Sequence, residues 1–150
     1  MMKLVAFLLL AVGGHATCGV VNGVYQIKNP FMSTCISGSL SPGLPVMANP
    51  CAGPSSVWLV SALGQDCQIM IGKGLCLTAP GIVGQSPVVS ACNPSDPRQS
   101  WNTKEGTIFR ASNNGAFVLT HQGQGKPIVV NNINSKNPFQ QWSFVKSGSV

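Results

Sequence analysis

The feature that most constrains this chain is a template recurring at a fixed distance. Cys35 and Cys51 stand sixteen residues apart, and so do Cys76 and Cys92, displaced from the first pair by 41 positions. The same displacement carries Trp101 onto Trp142, each preceded two residues earlier by a Gln, in Gln99-Ser100-Trp101 and Gln140-Gln141-Trp142. Ser56-Val57-Trp58 closes the first copy, two residues early and without the Gln. In the third copy the cysteine positions fall on Phe117 and Ile133, so the spacing predicts an apolar contact in place of a crosslink. Pro45-Val46-Met47, Pro87-Val88-Val89 and Pro127-Ile128-Val129 each follow a glycine-containing turn. Each copy opens on an apolar run, at Tyr25-Gln26-Ile27, at Cys67 to Ile71 and at Thr107-Ile108-Phe109.

Three copies of about 41 residues, at about 20–62, 63–104 and 105–147, fill most of the 150-residue chain. With 17 Gly and 11 Pro against 8% charged residues, the composition favours short strands and turns over long amphipathic helices. Repeats of this length also build propellers and solenoids. Three propeller blades would leave sheet edges open, whereas three copies of about four short strands can close into a barrel that protects them. The expected fold is therefore all-β, a β-trefoil with pseudo-threefold symmetry. In it the three Trp fill the shared core with each indole N–H bonded to a carbonyl.

The N-terminus reads as a separate segment. Met1-Met2-Lys3 is a short basic head, Leu4 to Val12 is an apolar run too short to span a bilayer, and Gly14-His15-Ala16 supplies small residues for cleavage. Residues 1–16 are expected to be a signal peptide and 17–150 a single secreted, extracellular domain without membrane insertion. The six cysteines all follow Ala16, and in an oxidising compartment an even count reads as three disulfides. Fifteen pairings are possible. The repeat makes Cys35–Cys51 and Cys76–Cys92 equivalent bridges within copies and leaves Cys18–Cys67 to tie the N-terminal segment to the second copy. No C-x₂₋₄-C pair suggests zinc, so no metal or other cofactor is expected.

The inventory for catalysis is thin. Beyond the signal segment the sequence holds one histidine, His121, and three acids, Asp66, Asp96 and Glu105. A glycosidase needs two facing carboxylates, and no Gly-x-Ser-x-Gly elbow, phosphate loop or dinucleotide fingerprint is present. Asp96 lies in Asn-Pro-Ser-Asp-Pro, where a carboxylate more often bonds its own backbone. The net charge of +6 is carried by scattered single Lys and Arg rather than the clustered basic face that nucleic acid requires. A non-catalytic module with no nucleic-acid partner is the expectation.

Paired cysteines at fixed spacing, with Gln-x-Trp endings in a threefold repeat, resemble the ricin B-chain-like (R-type) lectin family. The residues that carry the resemblance are Cys76, Cys92, Gln99, Trp101, Gln140 and Trp142, with Cys35, Cys51 and Trp58 in the degenerate first copy. The opening Gly23-Val24-Tyr25-Gln26-Ile27-Lys28-Asn29 is similar to that of small secreted fungal members. The resemblance implies a β-trefoil that binds galactose-type or related sugars, with glycans or glycoproteins as partners.

The family's usual site, however, is altered. The position of its sugar-gripping Asp falls on Ser37, Thr78 and Leu119. That of its stacking aromatic falls on Asn49, Ser90 and Asn131, and that of an Asn before the Gln on Ser55, Arg98 and Phe139. A hydroxyl or amide in place of the acid gives up the charge-assisted bond. The expected carbohydrate-binding residues are Thr78, Gln99, Thr120, His121, Asn131, Asn132 and Gln140, with the third copy favoured because Gln122, Gln124 and Asn134 add further donors and acceptors. The alternative is a protein-binding trefoil such as a protease inhibitor, whose partner is an extracellular protein. It would use the loops Ser37–Pro45 and Gly53–Ser56.

Overall fold

The computed structural model describes residues 18–112 and 117–147; the proposed signal segment lies outside them. The described residues form twelve strands: β1 (Gly23–Asn29), β2 (Thr34–Ser37), β3 (Met47–Asn49), β4 (Trp58–Leu63), β5 (Asp66–Ile71), β6 (Leu75–Thr78), β7 (Val88–Ala91), β8 (Trp101–Lys104), β9 (Thr107–Arg110), β10 (Val118–Thr120), β11 (Val129–Asn131) and β12 (Ser143–Lys146). A short 3-10 turn precedes each Trp, at Pro54–Ser56, Pro97–Gln99 and Pro138–Gln140. Each starts on Pro, whose fixed φ and missing N–H suit the first position of a helical turn.

The strands pair antiparallel in the order β1–β4–β5–β8–β9, and β12 returns to β1 through Tyr25↔Lys146 and Ile27↔Phe144. A bond from Trp142 N–H to Gly106 O joins the third copy's last segment to β9 and closes the ring. The remaining strands form the hairpins β2–β3, β6–β7 and β10–β11. This is the β-trefoil. The three Pro-led motifs meet where the hairpins converge. Val46 N–H donates to Pro87 O, Ile128 N–H to Val46 O and Val130 N–H to Gln85 O, with Val46, Val89 and Ile128 fully buried.

Alternation along the strands builds the core. Tyr25, Ile27 and Asn29 on β1, and Cys67, Ile69 and Ile71 on β5, point inward while their neighbours face out. The three Trp sit in this core as expected. Each indole N–H donates to a carbonyl about 22–24 residues back: Trp58 to Ile36, Trp101 to Leu77 and Trp142 to Leu119. The disulfides are Cys35–Cys51, Cys76–Cys92 and Cys18–Cys67, which pairs all six cysteines.

One detail of the repeat changes. Across the hairpins Cys35 faces Asn49, Cys76 faces Ser90 and Val118 faces Asn131. The residue standing in for the first cysteine of the third copy is thus Val118, not Phe117. The β9–β10 connection has gained a residue, and Phe117 is left at its end with a positive φ of 59° and the Arg110 guanidinium over its ring. Because faces alternate along a strand, this one-residue slip matters: the position of the usual Asp falls on Thr120 rather than Leu119. Ile133, at the place of the second cysteine, remains 47% exposed.

Candidate functional site

With the register set, the three hydroxyls at the family's acid position are Ser37, Thr78 and Thr120, all buried. Two of them are held by the Gln of Gln-x-Trp. Gln99 Nε2 donates to Thr78 Oγ1 (3.1 Å) and Ala91 O (3.0 Å), while its Oε1 accepts from Asn93 N–H (2.8 Å). Thr78 Oγ1 in turn donates to Cys76 O (2.9 Å). Gln140 repeats the arrangement. Its Nε2 donates to Thr120 Oγ1 (3.2 Å) and Asn132 O (2.9 Å), its Oε1 accepts from Asn134 N–H (2.8 Å), and Thr120 Oγ1 donates to Val118 O (2.9 Å). These four side chains bind each hairpin to the turn before its Trp. In the first copy Ser37 Oγ reaches Ser55 Oγ at 3.3 Å instead.

His121 is also turned inward. It occupies the position of Gly38 and Ala79, as three equivalent backbone bonds indicate: Gly38 N–H to Ser55 O, Ala79 N–H to Arg98 O and His121 N–H to Phe139 O. A side chain at Gly38 would collide with Trp58, whereas the imidazole of His121 stacks on Trp142 with centroids 6.0 Å apart. Its Nδ1 accepts from Gly123 N–H (2.9 Å), which places the ring proton on Nε2, facing Thr34 Oγ1. Burial pushes its pKa below the usual 6.5.

Of the seven residues singled out by sequence, Thr78, Gln99, Thr120, His121 and Gln140 are therefore engaged within the fold. Asn131 is half-buried on β11 and Asn132 is exposed just after it. Asp96 bonds its own turn as its sequence context suggests. Its carboxylate caps Arg98 N–H (2.9 Å) and pairs with the Arg98 guanidinium (2.8 Å), which holds its pKa below the ordinary carboxylate value.

The surface carries three clefts of interest. Ser37, Ser39, Leu44, Met47 and Asn49 line a shallow one of about 330 Å³ at the first copy's usual sugar position, without a charged group. A second, of about 430 Å³, is apolar: Val24, Leu40, Pro54, Val57, Leu59 and Met70 line it, with Lys73 at the side. The third, of about 350 Å³, lies between the β8–β9 turn and the segment after β11. It gathers Lys104, Glu105, Thr107, Ile133, Ser135 and Gln141. Glu105 thus shares a cleft with residues of its own copy that lie about 28 to 36 positions away in sequence.

The profile of the ricin-type beta-trefoil lectin domain matches residues 23–142. No curated protein compared with the chain is significantly similar in sequence. Among solved structures, a β-trefoil lectin of the Vibrio vulnificus hemolysin/cytolysin, with N-acetyl-D-lactosamine bound, superposes with TM-score 0.70 at 17% identity, covering 87% of this chain and 99% of that one. The Macrolepiota procera ricin B-like lectin in complex with lactose gives 0.69 at 16% identity, covering 85% and 98%. A mosquitocidal holotoxin gives 0.73 at 18% identity over 86% of this chain, but the chain spans only 18% of that protein's length.

Proposed function

Because the chain belongs to the ricin-type β-trefoil lectin family, we propose that it is a secreted, non-catalytic carbohydrate-binding protein with an altered sugar site. The observation that carries the reading is the match of residues 23–142 to the lectin domain, combined with hydroxyls at all three places of the usual acid. Ser37, Thr78 and Thr120 cannot supply a charged acceptor, and Thr78 and Thr120 are committed to Gln99 and Gln140. Glycan contact is assigned to the exposed rim of the third copy around Asn131 and Asn132, with the buried Thr120, His121 and Gln140 behind it and Thr78 and Gln99 in matching places of the second copy.

The non-catalytic part of the reading is supported by His121, whose two ring nitrogens are both engaged, and by Asp96, which is held by Arg98. Secretion, with cleavage after Ala16, is supported by three disulfides, which persist in oxidising compartments.

A second reading, a trefoil that binds an extracellular protein such as a protease, is favoured by one observation. Leu40 and Leu44 are 57% and 52% exposed on the long first-copy loop, and Leu40 borders the apolar cleft with Pro54. A glycan array probed at micromolar protein, run beside a panel of secreted proteases, decides between them. Glycan binding without inhibition is the expected result. Inhibition of a protease with no glycan bound would replace the lectin reading with the second.

A further inference from the structure

The fold supplies a carboxylate to a cleft outside the usual sugar positions. Glu105 and Gly106 form the two-residue turn between Lys104 and Thr107, which pair directly across β8 and β9. Glu105 has φ 52° and Gly106 φ 85°, both in the left-handed region that such turns require and that favours Gly or Asn. The preceding hairpin, between Leu63 and Asp66, places Gly64 with φ 64° at the matching position. An acid has thus been set where the backbone prefers glycine, at a cost in turn stability. A Cβ at Gly106 would lie 2.5 Å from Gln141 Oε1, so the Gln141 amide rests against the turn and would have to move for a larger residue.

Glu105 differs from the other two acids in its surroundings. Asp96 is neutralised by Arg98, the ion pair found among the described residues. Asp66 closes the β4–β5 turn and lines none of the three clefts. Glu105 is exposed, without an ion-pair partner among the described residues, and borders the cleft. The other residues lining the cleft are Ile133, which is apolar, Ser135 and Thr107, which carry hydroxyls, Gln141, an amide, and Lys104, an ammonium. A carboxylate that can accept from two neighbouring hydroxyls, amide and ammonium donors, and an apolar surface for C–H groups form the combination that recognises a hexose.

We propose that the cleft between the β8–β9 turn and the segment Ile133–Ser135 binds the vicinal hydroxyls of a neutral hexose through Glu105, with Lys104 and Gln141 as donors and Ile133 as the apolar contact. This rests on the carbohydrate-binding reading and relocates its charged acceptor. The site lies almost wholly within the third copy, with Lys104, the last residue of the second, at its edge. The matching turn of the preceding hairpin, Gly64-Gln65, borders a cleft of about 330 Å³ whose lining residues include no acid.

The test uses the whole protein, printed mono- and disaccharides ending in galactose, N-acetylgalactosamine, glucose, mannose or fucose, and titration of the best-bound one. Glu105→Gln keeps the side chain's size and removes its charge; affinity is expected to fall about tenfold. Glu105→Gly is expected to abolish binding while raising the urea midpoint, because the turn is relieved. Asn49→Ala, in the first-copy cleft, is expected to leave affinity within twofold. Wild-type binding that survives in Glu105→Gly, or is lost in Asn49→Ala alone, overturns this site and leaves the lectin reading standing. No binding by the wild-type protein to any printed sugar overturns both.

Discussion

The Nε2–H of His121, in the third copy, hydrogen-bonds the Oγ1 of Thr34, in the first. Both residues are buried, and His121 is 1% exposed. The bond spans the junction at which the first and last copies meet, so it helps close the trefoil independently of the β1–β12 pairing. The companion bond requires the neutral imidazole, because Nδ1 can accept from Gly123 N–H only while it is unprotonated.

A pH dependence follows with a definite sign. The folded-state pKa of His121 lies below 6.5, its value in the unfolded chain. As pH falls through 6.5 the unfolded chain takes up a proton before the folded one does. Stability is then full above about pH 6.5 and declines below it, by about 1.4 kcal/mol per pH unit until the folded pKa is reached. Urea midpoints at pH 7.5 and 5.0 should differ accordingly. In His121→Asn the difference over that interval should shrink. The Asp96–Arg98 pair contributes in a separate, lower window: Asp96 is depressed from 3.8, so its small contribution is lost only as pH falls below that value.

Trp101 is fully buried and anchored to Leu77 O at 2.9 Å. Trp101→Ala should therefore destabilise the protein by about 3–5 kcal/mol in urea unfolding. A loss below about 1 kcal/mol would contradict its place in the core.

Gln140→Ala leaves Asn134 N–H and Asn132 O without their side-chain partner and removes the bond to Thr120. The expected loss is about 2–3 kcal/mol, since buried groups stay desolvated after their partner is gone. Gln99→Ala should behave alike because Asn93, Ala91 and Thr78 hold matching places. A loss of sugar binding with unchanged stability in either variant would instead make these glutamines contact residues.

The disulfides should contribute unequally. Removing both cysteines of Cys76–Cys92, separated by 16, should lower stability by about 3 kcal/mol, and removing Cys18–Cys67, separated by 49, by about 4 kcal/mol. Thermal or urea unfolding of the two double alanine variants makes the comparison.

The trefoil was legible because its marks are large or crosslinked residues at constant spacing, and such residues have one place in a core. Trp58, Trp101 and Trp142 each found the carbonyl that the repeat requires. Alignment slipped only where those marks are missing. Without a cysteine pair in the third copy, nothing in the sequence shows the residue gained before Val118. The site was less legible for two physical reasons. Small polar residues such as Thr78 and Gln99 can face a ligand or each other, and spacing does not distinguish these. Glu105 shares a cleft with Ile133 and Gln141 only because the third copy folds back on itself, bringing its first turn beside the segment after β11.

The proposed lectin has hydroxyls at all three usual acid positions and takes its one charged sugar contact from Glu105. Equilibrium titration of the wild-type protein with its best-bound array glycan measures this directly. Saturable binding of one glycan per chain is the predicted result. Two or three glycans per chain would contradict it by revealing sites beyond the Glu105 cleft, and no saturable binding would remove the lectin function itself.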